Sequence, residues 1–336
     1  MRPTLRVLVT AGCLAAAALT GCGGGHTSRP GAADPGHRES PALRPPGSPA
    51  RGQGSRGRGA DRFVPSSSRR AAPTVSYYLA LGDSLSQGVQ PDRSGASVET
   101  RQGYADQLYA MLRTDHPGLR LVKLGCPGET TATMINGGIC RYPGGSQLAD
   151  TMRFLRAHRG RVALVTIDIG ANDPDSCLTQ PALTRLASCV GKSIPEATAN
   201  LTVILTRLRM ADPNGAIIAM NYYLPALAQW RNGLAGQALA RLVELAADGY
   251  NNLLTKIYHG FGVRIANVFG AFHTGDFSGQ VSVPGFGPLP PNVAAICRWT
   301  WECAAPPRGP NQHANQAGYQ VIARTFLLAD SGATVG

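Results

Sequence analysis

The sequence predicts a three-layer α/β domain built on a five-stranded parallel sheet. Three observations predict it. Short apolar strand-like runs alternate with longer helical ones from residue 74 onward, and that alternation builds a parallel sheet covered on both faces. The run Val162–Ile169 is apolar enough to be buried on both sides, as a strand inside such a sheet must be. The chain has 336 residues, 43% of them hydrophobic, enough to fill one large core.

The elements follow in order. Thr74–Leu81 is an aromatic-rich strand. Gln102–Arg113 reads as a helix, with Tyr104, Leu108, Met111 and Leu112 on one face. Leu119–Leu124 is a strand, Gln147–His158 a helix, and Val162–Ile169 the buried strand. Pro195–Met210 is a helix that ends before the turn residues Pro213-Asn214-Gly215. Ala216–Met220 is a strand, Gly233–Tyr258 a long helix and Val263–Val268 the last strand. Gln316–Leu328 is a terminal helix with Asn315 as its N-cap. Residues 271–314 hold few periodic runs and many Pro and Gly, so they read as a long excursion.

Residues before 74 belong to another regime. Arg2 and Arg6 precede an apolar stretch, Val7–Thr20, too short to span a bilayer comfortably. Residues 23–73 are rich in Gly, Pro, Arg and Ser, cannot bury enough surface to offset ordering entropy, and read as a disordered linker. Residues 1–72 carry +8 of the formal charge of +12. The high charge therefore describes the tail, and does not argue for nucleic-acid binding. A basic tail suits an anionic lipid or envelope surface as well as it suits a solvated spacer. Leu19-Thr20-Gly21-Cys22 resembles a bacterial lipobox, which implies cleavage before Cys22 and acylation of it, and hence an exported, membrane-anchored lipoprotein. Ordinary secretion is the alternative.

Six cysteines remain after Cys13 and Cys22: Cys126, Cys140, Cys177, Cys189, Cys297 and Cys303. An even number in an exported chain argues for disulfides, and six allow fifteen connectivities. Neighbour pairing is favoured: Cys126–Cys140, Cys177–Cys189 and Cys297–Cys303. No Cys-x-x-Cys or His-Glu-x-x-His spacing points to zinc.

Four short blocks carry chemistry. Gly82-Asp83-Ser84-Leu85 follows the first strand, Gly125 the second, and Gly170-Ala171-Asn172-Asp173 the third, while His313 precedes the last helix. The carboxyl ends of parallel strands are where open α/β sheets bind ligands. A serine needs a base to become a nucleophile, and His serves near neutral pH. Acyl transfer then needs donors for an oxyanion. The backbone N–H groups of Ser84 and Gly125 and the Asn172 amide are the candidates.

On these blocks the chain resembles the SGNH (GDSL) hydrolase superfamily across about residues 74–330, and the loop Gly125-Cys126-Pro127-Gly128-Glu129-Thr130-Thr131 is most similar to its exported actinobacterial-type lipase/esterase branch. The resemblance implies a flavodoxin-like α/β/α fold within a domain of residues 74–333. It implies Ser84 as nucleophile, His313 as base, Ser84, Gly125 and Asn172 as the oxyanion hole, and hydrolysis of lipid or other acyl esters without metal or organic cofactor. A monomer is expected. An O-deacylase of envelope glycan or glycolipid would use the same residues, and an inactive substrate-binding lipoprotein is the competitor of another class. One departure stands out. The family's Asp-x-x-His places an acid three residues before the base, and here that position is Pro310. A main-chain carbonyl near Arg308–Asn311 is the expected partner of His313, with Asp276 the other candidate, and turnover is expected to be lower for want of the acid. Asp83, Asp168 and Asp173 read as structural acids. Trp299 and Trp301 are candidates for lining an acyl pocket.

Overall fold

The computed structural model describes residues 77–175 and 183–332. Cys22, the linker 23–73 and Cys177 lie outside the described residues.

Five strands form one parallel sheet: β1 (Tyr77–Gly82), β2 (Arg120–Lys123), β3 (Val162–Asp168), β4 (Ile217–Met220) and β5 (Arg264–Ala266). Their spatial order is β2-β1-β3-β4-β5. This is the flavodoxin-like order, in which the chain reverses direction across the sheet between β1 and β3. The two strands pair from Tyr78↔Leu164 to Gly82↔Asp168 and therefore end level with each other. Tyr78, Leu79, Ala80 and Leu81 are all fully buried, which explains why β1 reads as one apolar run rather than an alternating one.

The helices are α1 (Ser84–Gln87), α2 (Tyr104–Leu112), α3 (Thr131–Asn136), α4 (Gln147–Ala157), α5 (Asn172–Asp175), α6 (Leu183–Ala211), α7 (Gly233–Gly260), α8 (Val268–Ala271), α9 (Pro291–Trp299) and α10 (Gln316–Ser331). Helices α2, α9 and α10 pack together on one side of the sheet; α3, α4, α6 and α7 pack together on the other. A 3₁₀ turn, Pro225–Asn232, leads into α7, and two short antiparallel ribbons (Gln90–Pro91 with Ser97–Val98, Val281–Val283 with Gly287–Leu289) lie outside the sheet. Among the described residues no helix is long and apolar enough to cross a membrane.

Most elements stand where the sequence puts them, and the departures have local causes. Helix α6 was expected to open at Pro195, because proline lacks an N–H and favours a first turn. The helix instead begins at Leu183 and runs through Pro195. The last strand stops at Ala266 because the Asn267 side chain accepts the Gly270 N–H at 3.0 Å and caps α8. Helix α3 was not expected; Thr130 caps it through a reciprocal pair with Thr133. Helix α9 lies inside the stretch read as an excursion, opening on Pro291. Asn315 caps α10 as expected, accepting the Gly318 N–H at 3.0 Å. Cys126–Cys140 and Cys297–Cys303 are bonded as neighbour pairing expects.

Candidate active site

The ends of β1 and β3 create the site. Gly82 turns the chain with φ 125°, and a Cβ there would lie 2.0 Å from the Asp168 carbonyl oxygen, so the turn requires glycine. Gln147, fully buried, clamps this glycine on both sides: its Oε1 accepts the Gly82 N–H at 2.7 Å and its Nε2 donates to the Gly82 carbonyl at 2.9 Å. Asp83 caps α1, its Oδ1 accepting the Leu85 N–H at 2.9 Å, and Asp168 Oδ2 accepts the Ser86 N–H at 3.2 Å. The first N–H groups of a helix have no intrahelical acceptor. Two of those in α1 are thus taken by carboxylates, and the Ser84 N–H is the next one along.

Ser84 Oγ lies 3.0 Å from His313 Nε2. His313 Nδ1 lies 2.8 Å from Asn311 Oδ1, and the same oxygen accepts the His313 N–H at 3.0 Å. The second contact settles the chemistry of the first. A backbone N–H can only donate, so the Asn311 atom facing His313 is its oxygen. Nδ1 must then carry the ring proton, which leaves the Nε2 lone pair facing Ser84. The acceptor that orients His313 is therefore the side-chain amide of Asn311, and neither a main-chain carbonyl of residues 308–311 nor Asp276. The cause is local: Asn311 forms an Asx turn over the residue two positions on, His313 itself. Asp276 is engaged in its own turn, accepting from the Ser278 N–H and hydroxyl at 2.8 and 2.6 Å. Burial pushes the His313 imidazole down to about 4 from its ordinary 6.5, so the ring stays neutral across the physiological range.

Gly125 packs against the same turn: a Cβ there would meet Ser86 Oγ at 1.9 Å and the Asp83 carbonyl oxygen at 3.1 Å. Its N–H has no hydrogen-bond partner among the described residues. Asn172, at the end of β3, donates one amide hydrogen to the Glu129 carbonyl at 2.9 Å, which leaves its second hydrogen available. Asp173 accepts the Thr131 N–H at 3.0 Å and the Thr131 hydroxyl at 2.5 Å, a structural acid at the start of α3. Asp168 accepts from Tyr104 at 2.5 Å, and burial together with the neighbouring Asp83 raises its carboxyl well above the usual range. Among the described residues no group of three His, Cys, Asp or Glu side chains is placed to hold a metal ion.

Ser84, Asn172 and His313 line one cavity of about 180 Å³, whose further walls come from Tyr222, Tyr223, Leu224, Pro225, Ala247 and Tyr250. Gly125 adjoins the turn without lining this cavity. Trp299 and Trp301 do not line it either. Trp299 packs edge-on against Phe272 at 5.2 Å, and Trp301 donates its indole N–H to Gln90 Oε1 at 3.2 Å. Their backbones brace the histidine segment instead: the Trp301 N–H donates to the His313 carbonyl and the Asn315 N–H to that of Trp299. The aromatic wall belongs to the segment after β4, a position the strand order would have indicated.

A flavodoxin-like sheet with a serine and a neutral histidine in contact at its switch point has the layout of an enzyme cleft. The chain matches the profile of the GDSL-like Lipase/Acylhydrolase family over residues 80–321 and belongs to that family, which makes it a carboxylic ester hydrolase. Among solved structures it is similar to an extracellular lipase from Streptomyces rimosus (19% identity, 77% of this chain and 100% of that one, TM-score 0.49). It is also similar to phospholipase A1 from Streptomyces albidoflavus (18%, 77% and 100%, 0.46) and to an acetylxylan esterase from Geobacillus stearothermophilus (17%, 76% and 96%, 0.46). No curated protein matches the chain.

Proposed function

We propose that the protein hydrolyses carboxylic esters through an acyl-serine intermediate on Ser84. The observation that carries this is the 3.0 Å contact between Ser84 Oγ and an Nε2 whose lone pair is fixed toward it by Asn311. Ser84 Oγ attacks the ester carbonyl while Nε2 takes its proton, and the imidazolium returns that proton to the leaving alcohol. The oxyanion is met by the Ser84 and Gly125 N–H groups and the second Asn172 amide hydrogen. Water activated by the same histidine then releases the acyl group. Asn311 holds the tautomer but adds no negative charge, so the imidazolium is stabilised less than a carboxylate would stabilise it. We propose further that the chain is exported and tethered through an acylated Cys22, on the strength of its basic start, short apolar stretch and lipobox.

The test is a p-nitrophenyl ester assay on the full chain beside Ser84→Ala and His313→Ala. Each substitution should lower kcat/KM by at least ~10³-fold, with little additivity in the double variant. Wild-type rates in either variant would remove the mechanism.

A further inference from the structure

The cavity beside Ser84 has a size, and its walls are pinned. Tyr222 is held by Asn251, which accepts the Tyr222 N–H at 2.8 Å and donates to its carbonyl at 3.1 Å. Tyr223 stacks on Phe272 at 4.5 Å and donates its hydroxyl to the Gln312 carbonyl at 3.0 Å. Tyr250 donates to the Gly170 carbonyl at 2.8 Å. A wall anchored through both its backbone and its side chains has little room to retreat. The lining is mostly apolar, and a buried apolar cavity of about 150 Å³ takes a six-carbon ring. The space beside Ser84 is a cleft open to solvent on one side, and its accessible volume of about 180 Å³ holds about six or seven carbons before a chain emerges into solvent.

We infer that the acyl side of this site is built for short chains, and that an acyl group longer than about six or seven carbons leaves its remaining length outside the cavity. The protein is on this reading a short-acyl esterase rather than a long-chain lipase. The inference rests on Ser84 being the nucleophile, and it assigns the cavity to the acyl rather than the alcohol side of the ester. Inside the cavity each added methylene gives about a fourfold gain in kcat/KM; outside it, the gain stops. Small wall residues set the limit. Ala247, on α7, and Ala226, in the 3₁₀ turn, both line the cavity, and leucine at either place would add three carbons to a space that holds six or seven.

The experiment uses the full chain and p-nitrophenyl esters from acetate to palmitate, with a fluorophosphonate label as an independent readout of Ser84. The expected profile climbs from acetate to hexanoate or heptanoate and is flat or falling beyond. Ala226→Leu should move the maximum to butyrate or shorter, and Ala247→Leu should do the same where it folds. A kcat/KM still rising from octanoate to laurate, with Ser84 labelled, overturns the short-chain reading and leaves the nucleophile standing. An unlabelled Ser84 together with no hydrolysis of any ester overturns the nucleophile and this inference with it. An unchanged profile in a folded Ala226→Leu would show that the chain does not lie in this cavity, and that too overturns it.

Discussion

Asn311→Asp isolates the one position where this chain departs most from a charged catalytic triad. The substitution keeps every contact that Asn311 makes. A carboxylate oxygen accepts the His313 N–H and Nδ1–H as the amide oxygen does, and the Ser97 hydroxyl, now accepting at 3.2 Å from Asn311 Nδ2, can reverse and donate. What changes is charge. A unit charge 2.8 Å from the ring interacts with the imidazolium by about 1.5 kcal/mol in a water-like medium and about 6 kcal/mol at the effective dielectric of a protein site. At about 1.4 kcal/mol per pH unit, that raises the imidazole by about one to four units from its value near 4. The sign is fixed. The base must be neutral to accept the Ser84 proton, so activity is lost as pH falls through the histidine pKa. Wild type should keep kcat/KM down to about pH 4–5, and the variant should lose it at a pH at least about one unit higher. Above that limb the same charge stabilises the imidazolium formed in the transition state, so the plateau should rise about tenfold or more. The assay is a pH–rate profile of both proteins on p-nitrophenyl butyrate, with circular dichroism to confirm the fold. Coincident acid limbs would refute the argument, because they would mean that the titrating group is not His313 or that residue 311 does not face it.

Three further outcomes follow from the same contacts. Gln147→Leu strands the Gly82 N–H in the core, and should cost about 1–3 kcal/mol in urea unfolding and lower kcat more than it raises KM, since the displaced element is the nucleophile turn. Tyr222→Phe removes a buried hydroxyl that has no hydrogen-bond partner among the described residues, so the variant should melt higher, by about 2–4 °C for each kcal/mol gained; a lower melting temperature would show that the hydroxyl has a bound partner in solution. Replacing Cys126 and Cys140 together by serine opens a loop with a sequence separation of 14, and should cost about 3 kcal/mol in chemical unfolding; a loss well under 1 kcal/mol would show that the loop is held without the bridge, by contacts such as the Tyr142 hydroxyl donating to the Leu124 carbonyl at 2.7 Å.

What was legible in the sequence is what short range determines. β1 and β3 show themselves by composition, because a strand covered on both faces can hold few polar residues. Ser84, Gly125 and Asn172 show themselves because each stands at or just past the end of a strand-like run with a turn residue beside it, and His313 because the short block before the last helix resembles the family's fourth block. The orienting residue is less legible: with Pro310 in the acid's place the sequence points to a main-chain carbonyl near Arg308–Asn311 or to Asp276, while the contact is made by the Asn311 side chain through an Asx turn that spans two positions. The wall of the cavity was missed because Trp299 and Trp301 are the conspicuous large residues near His313, whereas the cleft is walled by whatever follows β4, here Tyr222 and Tyr223. The clamps were beyond local reading altogether. Gln147 meets Gly82 across 65 positions, Glu129 meets Asn172 across 43, and Asn251 meets Tyr222 across 29. Each is an amide or carbonyl paired with a backbone or side-chain amide, a contact that carries no charge and leaves no periodic trace. Only the strand order brings such partners together. Once β1 and β3 lie side by side, the loops after them share one small volume, and buried polar groups there must find one another. The residues proposed to react are therefore readable from sequence while the residues that hold them are not, and the latter decide whether Ser84 and His313 stand 3.0 Å apart.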